Sequence, residues 1–93
     1  MTLSTFAEFE SRVGAVFSIE LGTGPIPITL KEAKPLGHGV REGGAFSLVF
    51  EGDADTSLPQ SIYQLEGDGE TLELFLVPIG PFGEGMGYEA VFT

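Results

Sequence analysis

The chain offers few groups for chemistry: one histidine, fourteen acids, four bases and no cysteine. His38 lies between Gly37 and Gly39, in a stretch to Gly44 that holds four glycines. Acid–base or nucleophilic catalysis needs a base oriented by a third group, and this stretch supplies nothing to hold one, so a solvated His38 is expected. Ser11, Ser18, Ser47, Ser57 and Ser61 all lack the glycine frame of a nucleophile elbow, which argues against a Ser-His-Asp site. Asp53-x-Asp55-x-Ser57 has the alternate-oxygen spacing that opens a calcium loop. The pattern then fails, with Leu58 where the loop needs Gly and Gln64 where it needs a bidentate Glu, so an acidic turn is expected. Gly-x-Gly occurs at 22/24, 37/39, 67/69, 83/85 and 85/87, but none opens a helix within a βαβ unit, so phosphate cradles are not expected. The absence of cysteine excludes disulfides, Cys-ligated zinc, iron–sulfur clusters and thiol chemistry. No catalytic, metal or cofactor residue is assigned, and a non-enzymatic protein is expected.

Apolar residues in an unusual place are the remaining lead. Pro78 to Gly87 reads as a Gly/Pro-rich loop, yet it carries Ile79, Phe82 and Met86. Two uses fit: these side chains fold back to cap the core, as a small domain requires of its apolar groups, or they project as an adhesive patch for a partner or a sister subunit. Charge narrows the partner. The net charge of −10 is uneven, with −1 over residues 1–47 and −9 over residues 48–93, where no base occurs. Such a surface repels phosphate backbones and anionic lipid, so neither nucleic acid nor membrane is expected. Solubility explains the acidity in part, and a cationic partner or a cation is the other use for it. No small-molecule substrate suggests itself.

The elements that would position these groups form one domain over residues 1–93. Residues 4–13 read as a short helix, with Thr5 and Glu8 spaced as a capping box and Gly14 placed as its left-handed stop. Phe6, Phe9 and Val13 recur on one helical face, and a helix this short must dock to persist, as a plug over one barrel end. Strands are expected at 15–21, 26–36, 45–51, 61–66, 71–77 and 88–92, where apolar residues alternate between turn signals. In the second, the alternation slips at Lys31-Glu32-Ala33, which suggests a bulge. Pro27 and Pro35 cannot donate to a ladder, so that strand should sit at an edge or have free ends. The organising strand is Thr71 to Val77. Leu72, Leu74 and Leu76 fill one face, while Phe75 and Val77 make the other largely apolar, so cover from two directions is expected. The fold class is all-β and mainly antiparallel, a small six-stranded barrel or sandwich with one short N-terminal helix. No Sec signal peptide or membrane span is legible, and cytoplasmic synthesis is expected, with any export occurring within an assembly.

Phe46-Ser-Leu-Val-Phe50, Leu58-Pro-Gln-Ser-Ile-Tyr-Gln-Leu-Glu66, Leu74-Phe-Leu-Val-Pro-Ile-Gly-Pro81 and Tyr88-Glu-Ala-Val-Phe92 together resemble a family of small bacterial proteins of unknown function. The resemblance covers nearly the whole chain, with Phe82 standing where the pattern has a polar loop residue. It implies association with phage-tail-like collar or fibre proteins and supplies no functional residue. The expected role is protein–protein interaction or assembly, through Ile79, Phe82 and Met86 together with an edge strand. The alternative is a barrel that binds a small apolar ligand or a cation.

Overall fold

The computed structural model describes residues 6–20, 24–36, 45–55, 58–67 and 69–92. A helix α1 (Phe6–Glu10) precedes six strands: β1 (Val16–Glu20), β2 (Pro25–Pro35), β3 (Phe46–Gly52), β4 (Ser61–Gly67), β5 (Glu70–Phe82) and β6 (Gly85–Phe92). They close into an antiparallel barrel in the order β1-β2-β3-β6-β5-β4. The barrel alternative of the fold expectation therefore holds, and the sandwich does not.

Alternation decides what fills the barrel. Phe17 and Ile19, Ile28 and Leu30, Leu48 and Phe50, Leu65, Leu72 and Leu76, and Tyr88 are each no more than 2% exposed. A lumen of this size is filled by such side chains. The helix supplies the plug. Phe9 is fully buried, with its ring centroid 5.8 Å from Phe46 and 5.3 Å from Phe92. Phe46 and Phe92 stack at 4.6 Å, and Phe6 meets Phe46 edge-on at 5.9 Å. The helix is shorter than its expected 4–13 span. Residues 11–14 are turn, Gly14 has φ of 100°, and Val13 is 46% exposed, pointing away from the plug. Thr5, and with it the capping box, lies outside the described residues.

Barrel closure revises the edge-strand expectation: β2 pairs with β1 on one side and β3 on the other. Pro27 and Pro35 are tolerated because each faces the side on which a neighbouring strand has ended. The Leu30 amide donates to Ala15 at 3.0 Å, so Ile28 and Leu30 bond toward β1 while Pro27 faces β3 beyond that strand's last pair, Ile28 with Gly52. Beyond the bulge at Lys31, the Leu36 amide donates to Ala45 at 2.8 Å, which turns Pro35 away from β3. Free ends, not a free edge, accommodate both prolines. The bulge falls where the slipped alternation at Lys31–Ala33 places it.

The largest departure concerns residues 78–87. They are not a loop. β5 runs thirteen residues to Phe82, and a turn at Gly83 and Glu84 leads straight into β6. A second bulge falls between Pro78 and Gly80, so Ile79 is the extra residue, and Gly80 has φ of 94°. Pro78 and Pro81 lie beyond the stretch of β5 that pairs with β4, which ends at Leu76, so neither removes a β4 ladder bond.

Candidate functional site

Register shows how the three sequence-selected residues divide. Cross-strand partners share a face, and Val77 pairs with Glu89, Pro78 with Tyr88, Pro81 with Met86 and Phe82 with Gly85. Tyr88 is buried in the lumen, so Met86 and Pro81 share its inward phase. Met86 packs against the core near Gly52, at the end opposite α1. It caps the barrel. Gly87 has the outward phase, and a Cβ there would lie 2.8 Å from Phe82 Cβ and 2.9 Å from Ile79 Cγ1. Ile79 and Phe82 thus meet over Gly87 on the outer surface. Of the two uses considered for this segment, Met86 follows the first, while Ile79 and Phe82 occupy the position the second requires.

Sequence reasoning marked Phe75 and Val77 as a second apolar face but expected it to be covered, and it missed Ile62 as part of the surface. Phe75 and Val77 precede Ile79 on the outward face of β5, and Ile62 pairs directly across from Phe75 on β4. The outer face of β5 is not covered as expected: Phe75 is 49% exposed and Ile79 45%, and Ile62 beside them on β4 is 62% exposed. The strand with both faces covered is β3, where Ser47 and Val49 are buried along with the lumen residues. The result is an outward apolar stripe from Phe75 through Val77 and Ile79 to Phe82, about 20 Å long at about 3.3 Å per residue. The available signal was Ile62, out of phase with the inward pair Tyr63 and Leu65.

Electrostatics frame this stripe. Glu73 precedes Phe75 on β5, Gln64 lies opposite Glu73, Glu66 follows on β4, and Glu89 lies opposite Val77. The described bases lie elsewhere, Arg12 after α1 and Lys31 and Lys34 on β2. In this strand order β2 is three places round the barrel from β5, and of its two lysines Lys31 reaches toward the end of the stripe, where it pairs with Glu51.

A carboxylate fixes the hairpin that ends the stripe. Glu51 Oε2 accepts the Glu84 amide at 2.8 Å, and Lys31 Nζ lies 3.4 Å from Oε1. The Glu84 amide foremost, with help from Lys31 and the Gly85 amide, holds the Glu51 carboxyl below its ordinary range, against a partly opposing desolvation. A Cβ at Gly83 would lie 2.6 Å from Glu51 Oε2, and Gly83 has φ of 60°. Glycine there lets the turn close on the carboxylate.

Other candidate groups have structural employment. Tyr63 Oη donates to the Pro59 carbonyl at 2.6 Å, and Tyr88 Oη accepts the Leu58 amide at 3.1 Å. Burial, then proximity to Tyr88, pushes the Tyr63 phenol up. Asp53 Oδ1 accepts the Asp55 amide at 3.0 Å, an Asx-type turn as the acidic pattern suggested. His38 and Ser57 lie outside the described residues. A shallow groove of about 440 Å³ runs beside α1, lined by Glu10, Val13, Lys31, Glu32, Ala33 and Lys34. Its charges alternate in sign, and Lys31 is engaged by Glu51.

Fold and surface define a small closed β-barrel with a filled lumen and an apolar outer stripe. Residues 4–92 match the family model described as a domain of unknown function, DUF6916, and the chain belongs to that family. Neither the curated proteins nor the solved structures yielded a match. Among the described residues no helix is long and apolar enough to cross a membrane.

Proposed function

We propose that this protein is a non-catalytic interaction module that binds another protein chain through the outward face of β5. One observation carries the reading: Ile62 and Phe75, directly paired across β4 and β5, are both about half exposed or more. Apolar neighbours this open, continuous with Ile79 and Phe82, are the kind of patch that marks a docking surface on a small soluble domain. Closure of the barrel leaves side-chain packing as the mode of contact, in place of strand addition at an edge. The role is that of a subunit or accessory of a larger assembly, and the sequence resemblance suggests a phage-tail-like or fibre assembly. The filled lumen and the engaged tyrosine hydroxyls favour this reading over a ligand-binding barrel.

The test compares the native mass, and retention of a co-purified partner, for the wild type and for Ile62→Ser combined with Phe75→Ser. Val16→Ser, an equally open site at 56% exposure on β1, is the control. The double variant should fold and lose association, and the control should retain it. Association unchanged in a folded double variant would overturn the reading.

A further inference from the structure

The stripe's shape and surroundings specify its occupant more closely. It follows β5 along the convex wall of a barrel, widened at one point by Ile62 of β4 beside Phe75, so it matches a single segment better than a broad second domain. Standard domain–domain interfaces cover about 800 Å² on each partner, whereas a row of four side chains about 20 Å long offers less. Its rim is anionic away from the hairpin, where Glu73 precedes Phe75 and Glu89 lies opposite Val77; at the hairpin end Lys31 is paired with Glu51. A second copy would bring a charge of −10 against the same face. Among the described residues that copy's own bases are Arg12, after α1, and Lys31 and Lys34, on β2 beside Glu32 in the mixed-sign groove.

We infer that the occupant is a cationic amphipathic segment of a different chain. Its apolar row covers Ile62, Phe75, Val77, Ile79 and Phe82, and its Lys or Arg side chains reach Glu73 at one end and Glu89 alongside. The inference rests on the docking role proposed above and adds the partner's chemistry. Complementary charge at the rim would speed encounter and exclude anionic competitors, while the apolar row holds the complex.

The probe is a short fluorescent peptide in which leucine and lysine alternate. Two companions accompany it, one with glutamate for lysine and one with serine for leucine. Binding is measured at low and raised salt. The leucine–lysine peptide should bind best, the glutamate peptide should not bind, and salt should weaken the complex. Glu73→Gln with Glu89→Gln should weaken binding about fivefold, the size expected for two exposed charge pairs. Glu10→Gln with Glu32→Gln removes the same charge in the groove beside α1 and should change binding less than about twofold.

Equal losses from the two carboxylate pairs, or equal binding of the serine–lysine peptide, would reduce the effect to general acidity and overturn the inference. So would failure of the leucine–lysine peptide to bind. Binding that needs Ile62 and Phe75 but ignores Glu73, Glu89 and salt would overturn the cationic partner while leaving the docking surface standing. Peptide binding that survives Ile62→Ser with Phe75→Ser would overturn the docking surface itself. Self-association through the stripe that strengthens with salt would assign the face to a second copy, against the inference.

Discussion

Replacing Phe9 with alanine asks whether α1 is part of the barrel's core or a removable cover. The side chain is fully buried and belongs to an aromatic group with Phe46 and Phe92, at centroid distances of 5.8 and 5.3 Å. Truncating a buried phenylalanine costs about 3–5 kcal/mol, since transfer free energy is lost and a cavity remains. Phe46 and Phe92 would also lose an aromatic neighbour at the barrel mouth. A domain of this length has a stability of about 5–14 kcal/mol, so Phe9→Ala should consume a large fraction of it. Urea unfolding should show the midpoint falling sharply, and the thermal midpoint should drop by about 15 °C or more. Val13→Ala, at an exposed site three residues past the helix, should stay within about 0.5 kcal/mol. A Phe9→Ala cost below about 1 kcal/mol would mean that the plug contributes little, and the account of the closed end would fail.

Three further outcomes follow from particular contacts. Gly87→Ala should destabilise by about 1–3 kcal/mol, measured by urea unfolding, because its Cβ would press on Ile79 and Phe82. Met86→Ser should lower stability without altering partner binding, whereas Phe82→Ser should do more to binding than to stability; thermal melts and the retention assay separate the two. Glu51 has a folded pKa below its unfolded one, so its stabilising contribution is present above about pH 4.3 and is lost as pH falls through the lowered folded value. Thermal midpoints followed down through that window should therefore fall less steeply for Glu51→Gln than for the wild type, and identical slopes would remove Glu51 from the hairpin's support.

Most of the barrel was legible because its inner face obeys a period of two. Phe17 and Ile19, Leu48 and Phe50, and Leu72, Leu74 and Leu76 announce their own direction. The slip at Lys31–Ala33 likewise announces a bulge. Residues 78–87 were not legible as strand, since three glycines within 83–87 and two prolines outweigh local β-propensity. What holds them extended is pairing with β6 and the Glu51 carboxylate, which lies thirty-three residues from Glu84 in the chain. No local pattern encodes such a contact. The same limit explains the stripe. Phe75 and Val77 were visible as a second apolar face on β5, and cover from within the chain was the natural inference. A closed six-stranded barrel has only one inside, so that face is turned outward. Met86 was separated from Ile79 and Phe82 by register, because the bulge at Ile79 shifts the phase of everything after it.

Docking of a partner on the outward face of β5 is tested by following the backbone and methyl resonances of labelled protein while the leucine–lysine peptide is added. Shifts should concentrate at Ile62, Phe75, Val77, Ile79, Phe82 and Glu89, with lumen residues such as Ile19 and Ile28 unmoved. Shifts centred instead on Val13, Ala33 and Lys34, in the groove beside α1, would contradict docking on β5.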